Sequence, residues 1–585
     1  MRKTLELIII ITLSSLTACV GTEQKVKNQM AFAKAYGYVK YFHPSDEASE
    51  IDWIKFSAFG TTEIEKCRSN KQVVTTLNKL FSPIAPSVIF LISDEKPDYN
   101  IKSITPDNVS GYELTYWQHQ GVSTGMKMNQ PGAYNSVRIN RGDKPEGEKI
   151  FSYQPEFGEI TTNKIGDGIY CQIPLVLYCN DLYTYPISDS SLLKVLKTEL
   201  NKIELTTEKL SSRLGNVIIT YNVFQHFYPY FDVIDISWDN ELEKALTRCY
   251  TDNNSKDHLL TLQKFTAPLR DGHCYVYNSS VKFAAPPIAW EWVENKLVIT
   301  NLYKENPAIQ IGDVVTRING ITPEKHFQEA YSLISAGTKS SLDYRANRVS
   351  LAGEKDSKLT VTIKDKDIDL VRDNVNYAIS KEKPKYKLIE EGIWYLNIDK
   401  IEMDTINKLL PSLEKCKAII CDARGYVKNN HEFINHLMKS DDTTSSWMQV
   451  PQIIYPDQKN ITGYAKFNWM SGMKVKKPYL GNKKVIYIID GTAISYAESC
   501  MGYIEGYKLA TIIGQPTAGT NGNVNPFDLA GGFTIPWTGM KVLKHNGSQH
   551  HGIGILPDIY VSKTIQGIKE GRDEFLEKAI EIAKQ

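Results

Sequence analysis

A serine stands where a buried strand gives way to a helix, a position suited to nucleophilic chemistry. Residues 484–490 form a nearly continuous apolar run, and Ser495 opens a stretch with helical spacing a few residues later. The first N–H groups of a helix lack intrahelical partners and carry the positive end of the helix dipole. Such groups stabilise the oxyanion that develops in acyl transfer. Ser495 is therefore a candidate nucleophile, and a serine that merely caps the helix is the alternative.

A histidine could supply the base that such a serine requires. His273 follows Asp271 and Gly272, a tight-turn sequence, and precedes an alternating segment, 274–277, that predicts a strand. A serine hydroxyl needs a base whose pKa lies near neutrality, and histidine is the usual one. A single histidine is more often structural, so the hypothesis depends on Ser495 and His273 together.

The elements around the serine predict an α/β layered domain over residues 381–585. Strands are expected at 392–398, 417–422, 484–490 and 509–514, and helices at 403–414 and from about Ser495. Two of these strands are almost wholly apolar, which is typical of a parallel sheet that is covered on both faces. This domain would present the serine.

The chain before this domain changes pattern several times. Residues 36–44 and 221–229 are similar aromatic helical segments, and each is followed nine residues later by a tryptophan, Trp53 or Trp238. They predict two related helical subdomains, at 25–100 and 191–280, with chance similarity as the alternative. Alternating residues and spaced glycines at 101–190 predict an all-β module between them.

A further unit is expected at residues 281–380, with several strands and a helix near 323–335. Its run at 311–320, Ile-Gly-Asp-Val-Val-Thr-Arg-Ile-Asn-Gly, resembles the centre of a PDZ domain. Such domains bind a peptide by adding it as a strand to the edge of their sheet. No glycine-rich carboxylate-binding loop is recognisable, so the ligand preference stays open.

Six landmarks occur in the order found in the tail-specific, or C-terminal processing, serine peptidases, a family that includes the core of the tricorn protease. They are Leu-Arg-Asp-Gly-His at 269–273, the PDZ-like segment, Asp-Ala-Arg-Gly at 422–425, Ser-Tyr-Ala-Glu at 495–498, Gly-Gln-Pro-Thr-Ala-Gly at 514–519 and Gly-Ile-Leu-Pro-Asp at 554–558. The chain resembles this family from about residue 211 to its end. Residues 25–190 resemble amino-terminal regions of some bacterial members.

The resemblance implies a crotonase- or Clp-protease-like peptidase core. It implies Ser495 as the nucleophile, His273 as the general base, and an oxyanion hole formed by the backbone N–H groups of Gly425 and Tyr496. Peptides or proteins would be the substrates, and no cofactor is implied.

The chain departs from the family pattern at several positions. The branch that uses a Ser–Lys dyad carries its lysine where this chain has Thr520, so the chain resembles the tricorn-type branch instead. No acidic residue occupies the place of that branch's supporting glutamate, which falls near His551. Asp271, Glu498 and His551 are therefore candidates for a supporting role. The usual pair of glycines after Gly425 is also missing.

Composition and charge exclude several other classes. The 585 residues contain 68 Lys+Arg and 67 Asp+Glu, so no basic field attracts nucleic acid. His545, His550 and His551 are close in sequence, but no HExxH motif or Cys/His pattern makes them metal ligands, and we expect no metal. Eight cysteines beyond residue 19 are scattered singly. Most are predicted to be small buried residues, and one or two disulfides are compatible with an oxidising compartment.

The amino terminus predicts export and lipid anchoring. A short basic head and the apolar stretch 5–16 form a signal peptide, residues 1–18, that is too short to span a bilayer. Residues 16–19 resemble the bacterial lipobox, in which the cysteine, here Cys19, is acylated and becomes the mature amino terminus. We expect a cell-envelope protein that this lipid holds at the membrane, with the membrane face left open.

The sequence thus predicts a multidomain α+β protein and leaves two functions open. The first is a lipid-anchored serine peptidase that cleaves peptides or unstructured protein tails through an acyl-enzyme on Ser495. The second is a weak or inactive peptidase-fold lipoprotein that binds peptides, apolar ligands or glycans, because a fold does not fix a function. Whether Ser495 and His273 lie within hydrogen-bonding distance of each other distinguishes these two functions.

Overall fold

The computed structural model describes residues 2–92, 98–124, 133–141, 149–374, 383–443, 447–467 and 472–585, with the backbone alone for residues 2–20. Within these ranges no helix combines the length and the apolar character that a membrane span requires. Lipidation is expected at Cys19, and the side chain of this residue lies outside the described part of the structure.

The described residues combine helices with several sheets, which confirms the predicted α+β class. The α-helices are α1 (Arg2–Phe42), α2 (Asp46–Glu50), α3 (Trp53–Ile64), α4 (Asn70–Phe81), α5 (Ser190–Asn201), α6 (Leu210–Phe227), α7 (Trp238–Cys249), α8 (Ser255–Thr266), α9 (Pro323–Ser332), α10 (Lys339–Val349), α11 (Met403–Leu413), α12 (Tyr496–Gly506), α13 (Ile565–Glu570) and α14 (Glu574–Lys584). The strands of the first half are β1 (Ile89–Ile92), β2 (Glu113–Thr115), β3 (Trp117–Gln120), β4 (Asn135–Arg138), β5 (Ile160–Gly166), β6 (Ile169–Pro174), β7 (Leu177–Cys179), β8 (Thr184–Tyr185) and β9 (Tyr277–Asn278). The later strands are β10 (Ile288–Val293), β11 (Lys296–Leu302), β12 (Val314–Ile318), β13 (Lys358–Ile363), β14 (Lys366–Val371), β15 (Tyr386–Glu390), β16 (Ile393–Asn397), β17 (Ala418–Asp422), β18 (Met448–Ile453), β19 (Gly463–Phe467), β20 (Lys484–Ile489), β21 (Thr511–Gly514), β22 (Phe527–Leu529), β23 (Phe533–Ile535), β24 (Lys541–Val542) and β25 (Ile559–Tyr560).

The C-terminal sheet has the strand order β15-β16-β17-β20-β21-β25. Its strands run parallel from β16 onward, and β15 adds an antiparallel edge. Every residue of β17 is buried, as expected of a strand that is covered on both faces. Helix α14 packs against β17 and β20, while α12 begins shortly after β20 ends. The turn between β20 and α12 therefore lies at the carboxyl end of the parallel strands.

The PDZ-like unit is a five-stranded antiparallel sheet in the order β10-β11-β12-β13-β14, and α9 and α10 accompany it. Strand β10 lies at the edge of this sheet and contacts α10. The sequence does not predict α10, because the helix buries only Ser341 and Ala346 and shows no apolar stripe.

The two aromatic helical segments pack against each other and share one core. Tyr36 meets Trp53 with ring centroids 5.1 Å apart, and Tyr221 stacks on Trp238 at 6.2 Å. Gly37 allows α1 and α6 to approach closely, because a Cβ there would overlap an α6 side chain at 1.7 Å. The segments predicted as two subdomains thus bury their apolar side chains together.

The strands between 101 and 190 belong to three different sheets. Strands β2, β7 and β8 form one sheet among themselves, while β5 and β6 form another with β1. Strand β3 pairs with β18 of the C-terminal region, giving the order β19-β18-β3-β4. The strand expected at 274–277 is also shorter than predicted, since β9 covers only Tyr277–Asn278 and pairs with β23. Cys274 and Val276 are buried while Tyr275 is exposed. The alternation there reflects packing of one side on the helical core rather than strand pairing.

All eight described cysteines are buried and free, so no disulfide forms among them. They are Cys67, Cys171, Cys179, Cys249, Cys274, Cys416, Cys421 and Cys500. This agrees with the expectation that most are small buried residues.

Candidate active site

Ser495 lies in the sharp turn between β20 and α12. Its backbone has φ 58° and ψ −118°, a conformation that costs free energy in a non-glycine residue and is concentrated at functional sites. Its N–H donates to the Thr520 carbonyl at 2.9 Å. The hydroxyl makes no capping hydrogen bond to α12. The serine therefore does not serve as a side-chain cap, which removes the alternative explanation for its position.

The His273 ring is joined to Asp271 through the hydroxyl of Thr538. His273 Nδ1 and Thr538 Oγ1 lie 2.9 Å apart, and Thr538 Oγ1 lies 2.7 Å from Asp271 Oδ1. Because an ionised carboxylate only accepts hydrogen bonds, the threonine donates to Asp271 and accepts from the ring. His273 Nδ1 therefore carries the proton, and Nε2 is left unprotonated and able to accept one.

Asp271 is fully buried and is held in place by two backbone donors as well. The N–H of His273 donates to Oδ1 at 2.9 Å, and the N–H of Thr538 donates to Oδ2 at 2.7 Å. These bonds compensate the burial of the carboxylate. Of the three supporting candidates, Asp271 is the one that the structure connects to the His273 ring.

The loops of the serine and the histidine meet at Thr520. The N–H of Gly272 donates to Thr520 Oγ1 at 2.8 Å, while the Thr520 carbonyl accepts from Ser495. A Cβ at Gly272 would lie 3.0 Å from Ile494 Cδ1, so the residues preceding His273 and Ser495 touch. Among the described residues no hydrogen bond joins the Ser495 hydroxyl to the His273 ring. Catalytic hydrogen bonds often tighten only when substrate is bound.

Burial lowers the pKa of His273 below its ordinary value of 6.5, and the negative charges of Asp271 and Glu498 oppose the shift. The nearby positive charge of Arg345 lowers the pKa further. Arg345 donates to the Gly272 carbonyl at 2.7 Å, so it also holds the histidine loop. The ring is therefore neutral at neutral pH, as a general base must be.

Gly425 lies in the loop after β17 and borders the start of α12. Its φ is 136°, and a Cβ there would lie 2.9 Å from Cγ of Asp399, so a side chain does not fit without movement. The next residue, Tyr426, donates its N–H to Asp399 Oδ1 at 3.1 Å. The Tyr426 ring centroid is 6.0 Å from that of Tyr496. The loop that carries Gly425 therefore lies beside the start of α12, and the oxyanion hole expected from Gly425 and Tyr496 stays a prediction.

Glu498 and His551 contact other groups. Glu498 is fully buried and accepts hydrogen bonds from the N–H groups of residues 519–520 at 2.7 and 2.8 Å. It therefore fixes the loop that bonds to the serine backbone. His551 stacks on Tyr230 with ring centroids 3.8 Å apart, and burial lowers its pKa to about 4. In the described part of the chain neither residue hydrogen-bonds to the His273 ring.

The comparison with known families decides what this domain is. Residues 392–561 match the family model described as Peptidase family S41. The C-terminal part of the chain is a peptidase family S41 domain. The S41 domain contains Gly425, Ser495 and Tyr496, whereas Asp271 and His273 come from the end of the helical unit that precedes it. The match to this family indicates a peptidase, which is a hydrolase whose substrates are peptides or proteins.

Solved structures show a similar fold. A structure of mature CPAF complexed with lactacystin aligns with a TM-score of 0.54 and 13% identity, over 64% of this chain and 98% of that chain. A second structure of mature CPAF aligns over the same shares with a TM-score of 0.53 and 12% identity. A photosystem II D1 C-terminal processing protease covers 60% of this chain and 93% of its own, with a TM-score of 0.34 and 14% identity. At these identities the CPAF likeness shows the fold alone. No curated protein sequence matches the chain.

An open cleft of about 640 Å³ extends from the histidine loop to the PDZ-like sheet. One wall is formed by residues 272–276, and the other by residues of β10 and α10. Apolar side chains dominate the lining, and Arg345 and Arg348 add positive charge to it. Ile494, which precedes the serine, lines the same cleft. The cleft therefore connects the PDZ-like unit with the S41 site.

Sequence reasoning does not find Thr538 or Arg345. Neither belongs to a motif, and Thr538 lies 265 residues beyond His273 in the chain. The one available signal is Asp271 itself, because a carboxylate beside a buried turn needs donors. The sequence does not reveal which residues supply them.

Among the described residues, His545, His550 and His551 do not belong to a group of potential metal ligands, and His545 packs against aromatic rings. One other group, Cys249, Asp252 and His258, brings its ligand atoms within 4.8 Å of one another. The Asn216 side-chain N–H donates to His258 Nε2 at 3.2 Å, so the ring proton is on Nδ1, 3.3 Å from Asp252. That hydrogen-bonding pattern leaves the imidazole no lone pair for a metal.

Proposed function

We propose that the protein is a lipid-anchored serine peptidase of the bacterial cell envelope that cleaves peptides or unstructured protein tails. The observation that carries the proposal is the hydrogen-bonded series from Asp271 through Thr538 to His273. It leaves the ring nitrogen Nε2 ready to accept a proton, next to the strained turn that holds Ser495. The match of residues 392–561 to a peptidase family supports the assignment of a peptide bond as the target.

In the proposed reaction His273 Nε2 takes the proton of Ser495 Oγ while Oγ bonds to the carbonyl carbon of the scissile peptide. The N–H groups of Gly425 and Tyr496 stabilise the resulting oxyanion. His273 then donates its proton to the leaving amine, the C–N bond breaks, and an acyl-enzyme remains. Water attacks this ester while His273 takes its proton, and that proton returns to Ser495 as the carboxylate product leaves.

The cleft favours an extended peptide as the substrate. Strand β10 is at the edge of the PDZ-like sheet and pairs with β11 on one side within the described residues. An extended chain can add to such an edge through main-chain hydrogen bonds. The cleft beside β10 is also lined by His273, the proposed base, and by Ile494, which directly precedes Ser495. A peptide tail bound along β10 would therefore lie beside the loops of the histidine and the serine.

The lack of a Ser495–His273 hydrogen bond among the described residues favours a second candidate, a protein of the same fold that binds peptides without cleaving them. A fluorophosphonate probe separates the two when applied to the purified full chain. Ser499→Ala is a matched control, because Ser499 lies in the same helix and its hydroxyl bonds to Asn521 instead.

We expect the wild type and Ser499→Ala to be labelled and Ser495→Ala to remain unlabelled. His273→Ala should react at least about 10²-fold more slowly, which is the lower range for a positioned general base. A wild-type chain that is folded but unlabelled would reject the peptidase proposal and favour the binding candidate.

The lipid anchor is tested separately, on the basis of the lipobox-like residues 16–19. The full chain should incorporate a fatty-acid analogue and sediment with bacterial membranes. Cys19→Ser should do neither, because it lacks the thiol that is acylated. Equal labelling of the two chains would reject the anchor without affecting the peptidase proposal.

A further inference from the structure

A second open cleft, of about 710 Å³, lies between the helical unit and the PDZ-like unit. Residues of α7, α8, the 3₁₀ turn Ala267–Leu269 and the segment before α10 form its walls. Five cationic side chains line it against two carboxylates: Lys244, Arg248, Lys264, Arg270 and Lys339 against Glu241 and Glu329. Cationic side chains therefore outnumber carboxylates in the lining.

Local carboxylates neutralise the lysines of this cleft but not its arginines. Each lysine has an ion-pair partner: Lys244 with Glu241, Lys264 with Glu329, and Lys339 with Asp343. Within the described ranges no carboxylate pairs with Arg248 or Arg270. Nη1 of Arg248 is buried without any hydrogen-bond partner. The guanidinium of Arg270 donates to the Gly337 carbonyl, at 3.3 Å.

A buried guanidinium N–H group without an acceptor, as at Arg248 Nη1, is unfavourable unless a ligand supplies one. The exposed guanidinium of Arg270 lines the same cleft and provides a second positive charge. We propose that this cleft binds a small anion that carries a phosphate or carboxylate group, with Arg248 and Arg270 as its principal ligands. The planar guanidinium presents paired N–H donors that match the oxygens of both groups.

The cleft is also connected to the S41 site. Arg270 directly precedes Asp271, which supports the base. On the opposite wall, the N–H of Thr338 donates to the Ala518 carbonyl at 3.2 Å, and its hydroxyl donates to the Thr517 carbonyl at 2.7 Å. An anion held between these walls should therefore order both segments, 267–271 and 336–339. Hydrogen exchange of their amides reports this ordering.

The test titrates the purified full chain with inorganic phosphate and, separately, with citrate, in chloride buffer of matched ionic strength. The variants are Arg248→Gln and Arg270→Gln. Arg68→Gln is the matched control, because Arg68 is an exposed arginine outside the cleft. Calorimetry measures the dissociation constant, and hydrogen exchange follows segments 267–271 and 336–339. Melting temperatures establish that each variant is folded.

We expect at least one of the two anions to bind the wild type and to slow exchange in both segments. Each cleft variant should weaken binding about tenfold or more, the loss of a charge-assisted hydrogen bond, while Arg68→Gln binds normally. Binding of phosphate alone, or of citrate alone, would support the proposal and assign the ligand class. Failure of both anions to bind above the chloride control, or normal binding by the folded cleft variants, would overturn it.

Discussion

Replacing Thr538 by valine removes the hydroxyl that joins His273 to Asp271 and keeps the side-chain volume nearly constant. Two hydrogen bonds disappear, of 2.9 Å to the ring and 2.7 Å to the carboxylate. Asp271 keeps the backbone N–H donors of His273 and Thr538, at 2.9 and 2.7 Å, so the loop should keep its course. We expect the free energy of unfolding to fall by about 1.5–3 kcal/mol, the range for hydrogen bonds to charged groups.

The effect of this change on reactivity should exceed its effect on stability. Without Thr538 nothing fixes the proton of His273 on Nδ1, so Nε2 is no longer held as the acceptor. A positioned general base contributes about 10²–10⁴-fold. The rate constant for fluorophosphonate labelling of Ser495 should therefore fall about 10²-fold or more in Thr538→Val. Urea unfolding at neutral pH measures the stability of the same sample.

Thr538→Ser is the control, because it retains the hydroxyl and should label at nearly the wild-type rate. The decisive comparison is between the two folded variants. If Thr538→Val labels as fast as Thr538→Ser, the hydroxyl does not set the tautomer of His273. The assignment of Asp271 as its support would then fail as well.

Three further outcomes are expected. Because burial lowers the pKa of His273 below 6.5, the rate of fluorophosphonate labelling should fall only as the pH drops below 6.5. A midpoint of the pH–rate profile above 6.5 would contradict this. Gly425→Ala would place a Cβ 2.9 Å from Asp399 and displace an oxyanion donor, so labelling should fall about 10²–10³-fold, and an unchanged rate would remove Gly425 from the site. Burial raises the pKa of Asp573, but the hydrogen bonds and charge of Arg424 outweigh it and hold the pKa at about 2. The ionised Asp573 therefore stabilises the fold above pH 3.8, and this contribution is lost as the pH falls toward 2. Between these pH values, the free energy of unfolding in urea should fall by about 1–2 kcal/mol more in the wild type than in Asp573→Asn. Equal losses in the two proteins would show that the Asp573–Arg424 pair contributes nothing.

The S41 domain could be predicted from the sequence because its strands carry local signals. The run at 484–490 is apolar on both faces, and the structure has β20 at Lys484–Ile489 with Ser495 in the turn that follows. Helix α10 lacked such a signal, since it packs with few buried residues. The β3–β18 pairing joins Gln120 to Gln452, two residues that are far apart in the sequence, and no local pattern specifies so distant a partner.

The sequence names Ser495, His273 and Asp271 as candidate site residues, but it does not reveal the hydroxyl that joins His273 to Asp271. Ser495 and His273 occur in short motifs at turns, where residue type and spacing indicate chemistry. Thr538 is an ordinary threonine in sequence and becomes specific only because the fold brings its N–H and hydroxyl to Asp271. Of the three supporting candidates, Asp271 is joined to the His273 ring through Thr538, whereas His551 stacks on Tyr230.

The proposed site is assembled from separate units, which is consistent with the lack of a direct hydrogen bond between Ser495 and His273 among the described residues. His273 belongs to the end of the helical unit and Ser495 to the S41 domain, and Thr520 is bonded to both loops. The PDZ-like unit holds the same region through Arg345, which binds the Gly272 carbonyl. A peptide added to β10 would occupy the cleft whose other wall is the histidine loop. Substrate binding and alignment of the base should therefore be coupled, and a long peptide should be cleaved with a higher kcat than a short one that reaches only the serine.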